Sequence, residues 1–236
     1  MITRPHIPKK PATSLIGVAG VYLLLALIVY FGAPLLLTIS GLSRINGWIF
    51  FQTRIMIWAV LALLYLYVTR VENHPFLSWP DKKYKPLFYI GSTFILLVII
   101  FIAAGIIKGI LLRFIHEEIS RKLLKYAELF KNNIPLLIFT ALTAGVTEEL
   151  IFRGYIQPRL EKAFNSSVIA IIITAFLFGI LHSPYGTLFQ FLNPLFIGAL
   201  FSVFYWKYRN IKILILCHFL VDTLSLLAVT FSHSKG

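Results

Sequence analysis

Seven long stretches of apolar residues dominate the hydropathy pattern of this 236-residue chain. A helix needs about 20 apolar residues to cross the hydrocarbon core of a bilayer. Most of the stretches reach that length, and the shorter fifth one is typical of a helix enclosed by others. We therefore predict an all-α, polytopic membrane helix bundle with about seven transmembrane helices. The predicted spans are residues 14–39, 48–68, 87–112, 134–155, 168–182, 187–208 and 213–231.

The connector of residues 113–133 has a different pattern, because its apolar residues recur at helical spacing opposite charged ones. The apolar positions are Ile115, Ile119, Leu123, Ala127 and Phe130. We predict an amphipathic helix that lies in the membrane interface. The alternative is a solvated surface loop with some helical character.

The composition excludes a disordered chain and argues against a water-soluble globule, since 58% of the residues are hydrophobic and 13% are charged. The net charge of +13 would suggest a nucleic-acid partner in a soluble protein. In a membrane protein it fits basic cytoplasmic loops that orient the helices. We therefore expect a cell-membrane location, the lipid bilayer as environment, and no nucleic acid. This rule places the N-terminus in the cytoplasm, although the basic connector 113–133 then lies on the disfavoured side.

Ionisable residues inside the predicted spans are the candidates for function. A charged side chain at the centre of a membrane helix costs about 2.5–3.5 kcal/mol. Four such charges on two helices would cost on the order of 10 kcal/mol unpaired. They must therefore face one another or a water-filled cavity. The ionisable residues singled out are Glu148, Glu149, Arg153, His182, His218 and Asp222.

Helical spacing predicts which of these side chains meet. Glu149 and Arg153 are four residues apart and share a helix face, as do His218 and Asp222. Glu148 points about 100° away from Glu149, so it has no partner on its own helix. The first pair also fits a purely structural contact, and the second fits an interhelical hydrogen-bond clamp.

The fourth and fifth spans are predicted to bring two of these residues to the same depth in the membrane. Glu148 lies 17 residues before the polar turn at Asn165, and His182 lies 17 residues after it. Two antiparallel helices leaving one turn bring these residues to the same height. A carboxylate that faces imidazoles in a dry pocket suits general acid–base chemistry. By contrast, Arg54 and Lys108 lie nearer the span ends and are expected to extend to the lipid interface.

Three short motifs, in order, resemble those of the CPBP family of CAAX-protease and bacteriocin-processing membrane proteins, also called the Abi family. Residues 147–154 resemble the first motif, E-E-x-x-x-R. Residues 178–182 match the second, F-x-x-x-H. Residues 218–222 match the third, H-x-x-x-N, except that Asp222 replaces the asparagine. The resemblance divides the chain into N-terminal helices and connector (1–133), a catalytic helix core (134–231) and a tail (232–236).

The resemblance implies a metal-independent intramembrane endopeptidase of the glutamate type, similar to the type II CAAX prenyl endopeptidases. Glu148 and His182 would activate a water molecule, and His218 with position 222 would form the oxyanion site. The supporting groups would be Glu149 and Arg153. The expected substrate is a peptide or a membrane-anchored protein, and neither a cofactor nor a metal is expected.

The departure at Asp222 leaves its role open, because an ionised carboxylate cannot donate a hydrogen bond to an oxyanion. The residue would either stay protonated or orient His218 as a carboxylate–imidazole pair. Other classes of protein also fit the cluster: a non-enzymatic bacteriocin-immunity or scaffold protein, or a proton or ion carrier. Two imidazoles and two carboxylates also fit a metal site.

Overall fold

The computed structural model describes residues 11–232, so the basic residues of the N-terminal segment 1–10 and the predicted tail from residue 233 onward lie outside the described range. Within it, ten α-helices follow one another with no strand. The helices are α1 (Pro11–Leu27), α2 (Ala33–Ser40), α3 (Gly47–Arg70), α4 (Pro86–Phe114), α5 (Arg121–Lys131), α6 (Ile134–Glu149), α7 (Gln157–Phe164), α8 (Ser167–His182), α9 (Phe189–Tyr208) and α10 (Ile211–Ser232).

The described residues confirm the predicted all-α bundle, because their helices form seven continuous spans that are long and apolar enough to cross a membrane. Two of the seven contain a π-helical turn. Ile28–Gly32 joins α1 to α2 just before Pro34, and Leu150–Ile156 joins α6 to α7. The seven candidate spans are Ser14–Ser40, Gly47–Arg70, Pro86–Phe114, Ile134–Phe164, Ser167–Tyr185, Phe189–Tyr208 and Ile211–Ser232.

Polar residues between the spans fix where the helices begin and end. The side chains of Asn46, Ser120, Asn133 and Ser166 each accept a hydrogen bond from the backbone N–H three residues further on. Such N-caps satisfy donors that a helix start leaves unpaired. Asn165 has a left-handed conformation at the end of α7, which confirms the predicted turn between the fourth and fifth spans.

The amphipathic helix of the connector is present as α5, but it is shorter than predicted. It begins at Arg121, after the cap at Ser120, so Ile115 and Ile119 lie before it and the predicted periodic face is interrupted. Phe130 of this helix is buried against Phe50 of α3 and the first turn of α6. Its apolar side therefore packs on the bundle.

Small residues allow the helices that carry the motifs to approach closely. A Cβ on Gly198 of α9 would lie 3.1 Å from the Cα of Ala175 in α8. A Cβ on Gly145 of α6 would lie 3.0 Å from the backbone oxygen of Ile215 in α10. In lipid, where hydrophobic burial does not drive helices together, such close packing stabilises helix pairs.

The N-terminal helices pack into the same core as the motif helices. One buried cluster joins Val21 of α1, Val60 of α3, Tyr155 of the π turn and Phe178 of α8. Packing therefore crosses the boundary predicted at residue 134, and helices without a motif build one side of the site.

Candidate active site

A buried cluster of charges connects α6 to α10. Oε1 of Glu149 accepts a hydrogen bond from Nη1 of Arg153 at 2.9 Å and lies 2.7 Å from Nδ1 of His218. The side chains of Glu149 and Arg153 have no exposed surface. The predicted Glu149–Arg153 pair is thus present, and its carboxylate also holds the imidazole of another helix.

Arg153 completes this cluster by reaching two further helices. Its Nη2 donates to the backbone oxygen of Gly198 in α9 at 3.2 Å. Its guanidinium lies over the ring of Phe178 in α8, 4.6 Å from the centroid. One buried cation therefore joins α6, α8 and α9 at the level of the motifs.

The second ring nitrogen of His218 faces two more carboxylates. Its Nε2 lies 3.6 Å from Asp222 and 4.0 Å from Glu148. Glu149 lies at Nδ1 and Asp222 lies at Nε2. A carboxylate therefore approaches each ring nitrogen of His218, and Glu149 is the one that sequence spacing did not suggest.

His182 has a different environment at the end of α8. Its Nδ1 lies 2.8 Å from the backbone oxygen of Phe178. Because a carbonyl oxygen only accepts, Nδ1 carries a proton, and in the neutral ring Nε2 keeps its lone pair. The Phe178 ring lies between both imidazoles, with centroids 4.8 Å from His182 and 6.0 Å from His218.

A cavity of about 1370 Å³ reaches Glu148 and His182 from the end of the bundle that carries the connector. Its walls come from α2, α3, α5 and the turn after α8, including Thr53, Tyr126 and Tyr185. The Glu148 side chain is 15% exposed. Of the six candidate residues, the two that line this cavity are Glu148 and His182, the pair predicted to activate water.

A comparison with protein families matches residues 130–224 to the model of the type II CAAX prenyl endopeptidases, described as Rce1-like. This segment begins in α5 and ends in α10, so it contains all three motifs. This match supports the CAAX protease-like family for the segment 130–224. The match agrees with the resemblance seen in the sequence, and together with the seven candidate spans it supports a multi-pass membrane protein similar to a peptidase family. No match was found among curated proteins or among solved structures.

The third motif noted in the sequence is matched at His218 but carries Asp222 in place of the asparagine. The Asp222 side chain is 31% exposed, so it is more accessible than either neighbouring glutamate. The position of Asp222 beside Nε2 of His218 places an oxygen where the motif has an asparagine. A carboxylate oxygen in place of an amide changes the hydrogen-bonding character of this position, because an ionised carboxylate only accepts.

Sequence reasoning missed several residues that surround this core. Tyr185 lines the cavity, and its ring stacks near His182 at a centroid distance of 6.4 Å. Its hydroxyl is within electrostatic reach of Glu148 and Asp222. An aromatic residue three positions after a motif histidine carries no recognisable pattern, so only the fold reveals its position.

Sequence reasoning also missed that Arg54 lines the cavity beside Phe50. Lys108 instead donates from Nζ to the backbone oxygen of Glu117 at 3.2 Å and lies near the Phe189 ring. Both basic residues thus contact protein groups.

The metal alternative has no direct support from the described part of the chain. Within residues 11–232, no group of three histidine, cysteine, aspartate or glutamate side chains has an arrangement suited to a metal ion. The lone cysteine, Cys217, is buried against apolar residues of α4 and α9.

Proposed function

We propose that this protein is an intramembrane endopeptidase in which Glu148 and His182 activate a water molecule. The observation that carries the proposal is that both side chains line the same cavity. Glu148 has no ion-pair partner among the described residues closer than 4.0 Å, so its carboxylate is available as a base. Nε2 of His182 has a free lone pair because Nδ1 donates to Phe178.

The reaction we propose is hydrolysis by a single water molecule. Nε2 of His182 accepts a hydrogen bond from this water, while Glu148 removes the other proton. The water oxygen attacks the peptide carbonyl carbon, and the carbonyl oxygen becomes an oxyanion. When the carbon–nitrogen bond breaks, Glu148 returns the proton to the leaving amine, which balances the step.

His218 is the proposed donor to the oxyanion. Since Nδ1 already donates to Glu149, the ring can donate from Nε2 only as an imidazolium. The carboxylates of Asp222 and Glu148 beside Nε2 balance that positive charge. In this proposal Asp222 supports the donor electrostatically, whereas an asparagine would donate directly.

The proposed substrate is an extended peptide or the end of a membrane-anchored protein in the cell membrane. The cavity suits such a molecule because apolar residues of α2 and α3 share its walls with polar residues of α5. Membership of a peptidase family supports a protein or peptide substrate. No metal or cofactor has a step in this mechanism, and cleavage is expected to continue in the presence of a chelator.

The test is cleavage of a quenched peptide library by the purified protein in detergent. We expect Glu148→Gln and His182→Ala each to lower kcat/KM at least about 100-fold, the scale of general acid–base catalysis. Matched controls are Glu161→Gln in α7 and His116→Ala before α5, neither of which lines the cavity. Cleavage that survives both site substitutions would refute the catalytic assignment. If the protein in liposomes conducts protons in a manner that depends on Glu148 and cleaves no peptide, the alternative of a proton or ion carrier would be favoured.

A further inference from the structure

Two basic side chains lie close together in the cavity without an acidic partner. Arg54 belongs to α3, about 10 Å of helix from its start at Gly47. Lys122 belongs to α5 and is close enough for the charge of Arg54 to act on it. Both line the cavity that reaches Glu148 and His182. Neither forms a salt bridge with any residue in the described range 11–232.

Aromatic rings and one hydroxyl hold these cations in place of carboxylates, since Nε and Nη2 of Arg54 donate to Oγ1 of Thr53 at 3.3 and 3.2 Å. The guanidinium of Arg54 lies 4.7 Å from the ring centre of Phe50. The Nζ of Lys122 lies 5.6 Å from the ring centre of Tyr185 and 6.0 Å from that of Tyr126. Ring faces attract cations through their quadrupole but leave the positive charge in place. Both charges are therefore ordered and uncompensated.

The acidic residues of the cavity wall do not neutralise this pair. The Glu117 carboxylate accepts hydrogen bonds from the backbone N–H groups of Leu188 and Phe189 at the start of α9. Glu118 and Glu128 are exposed, as are the remaining basic residues of α5 on this wall. Glu148 carries no salt bridge to either cation.

Two adjacent cations in a half-buried position are unfavourable unless an anion joins them. Burial and the charge of Arg54 both lower the pKa of Lys122 below its ordinary value. A bound anion would relieve both effects, since it would pair with the guanidinium and the ammonium together. The shared cavity means that this anion would belong to the molecule that reaches Glu148 and His182.

We infer that Arg54 and Lys122 form a subsite for a carboxylate of the peptide substrate, either its C-terminal group or an acidic side chain. The inference rests on the proposed function and adds a determinant of specificity to it. The subsite would fix the register of the peptide, so that the bond presented to Glu148 lies at a set distance from the carboxylate. Arg54 would bind this group through its planar pair of N–H donors, and Lys122 through its ammonium.

The test compares four peptides of one cleavable sequence: a free C-terminal acid, its C-terminal amide, and both forms with an internal glutamate changed to glutamine. We expect wild-type protein to prefer the peptide with the recognised carboxylate. Loss of one charged hydrogen bond corresponds to about a 10- to 100-fold drop in kcat/KM. Arg54→Gln and Lys122→Gln should lower cleavage of that peptide and leave the uncharged peptide unaffected. Arg54→Lys should restore part of the preference.

The ratio of kcat/KM between the charged and the uncharged peptide, measured on one preparation, separates a binding defect from misfolding. A misfolded fraction lowers all four rates equally and leaves this ratio unchanged. The control variant is Lys131→Gln, which removes a charge from the exposed end of α5 outside the cavity. It should leave the ratio unchanged. Equal cleavage of all four peptides by wild-type protein would overturn the subsite while leaving the peptidase proposal intact.

A binding measurement keeps the two proposals distinguishable. Peptide affinity is measured with Glu148→Gln protein, which retains Arg54 and Lys122. If this protein binds the peptide with the carboxylate more tightly, and if adding Arg54→Gln abolishes that preference, the subsite is supported even when the wild-type protein cleaves nothing. Absence of cleavage by the wild-type protein then counts only against the peptidase proposal. Binding of anionic phospholipid that depends on Arg54, with no preference among the peptides, would overturn the inference in favour of a lipid headgroup.

Discussion

The two adjacent glutamates should respond in opposite ways to the same substitution. Glu149→Gln removes the negative charge that pairs with Arg153 and holds His218, inside a cluster with no exposed surface on the carboxylate or the guanidinium. Glu148→Gln removes a carboxylate that is partly exposed and lies 4.0 Å from its nearest ion-pair partner. We expect the first change to destabilise the fold and the second to affect the reaction.

The expected loss of folding stability follows from the burial of the Glu149–Arg153 ion pair. Breaking a buried ion pair by removing one partner costs about 3–5 kcal/mol, because the other charge stays buried without compensation. For a chain of this size that corresponds to a fall in Tm of roughly 6–20 °C. The lower end is expected for Glu149→Gln, since the amide oxygen can still accept one hydrogen bond. Glu148→Gln should change Tm by less than about 2 °C, because it leaves no stranded buried partner charge and the amide fits the same space beside the cavity.

The assay is thermal unfolding of both purified variants in the same detergent, followed by peptide cleavage at a temperature where both remain folded. The double variant Glu149→Gln, Arg153→Met is the control, because it removes the stranded cation as well. It should recover part of the lost stability relative to Glu149→Gln alone. Equal Tm values for the two single variants would refute this assignment of roles, as would a double variant less stable than the single one.

Three further predictions concern packing, the third motif and pH. Gly145→Ala places a Cβ 3.0 Å from the backbone of α10, so the helices must separate and kcat/KM should fall about 10-fold or more; unchanged kinetics would contradict this. Asp222→Asn should keep cleavage, since an amide donates directly, whereas Asp222→Leu removes a carboxylate that balances the His218 imidazolium and should lower kcat about 100-fold, the scale of losing one oxyanion donor. Because burial lowers the pKa of Lys122, the ammonium loses its proton as pH rises through that lowered pKa. The carboxylate preference should weaken there, and Lys122→Arg, measured over the same pH range, should remove the weakening.

Much of the fold could be predicted from the sequence because its determinants are local. The number of spans follows from the length of apolar stretches, and polar caps such as Ser166 mark their ends. The pairing of Glu149 with Arg153 follows from helix geometry alone, which fixes the direction of residues four apart. Three motifs in order were sufficient to indicate the family.

The sequence did not determine how the site is assembled, because contacts between helices depend on which surfaces pack. Spacing within α10 suggested Asp222 as a partner of His218, while the packing of α6 on α10 near Gly145 brings a second carboxylate, Glu149, to the same imidazole. The position of Arg54 beside Lys122 likewise has no local origin, since α3 and α5 meet only after the bundle forms. Periodicity along one helix specifies the direction of a side chain, but only the packing of several helices decides what that side chain faces.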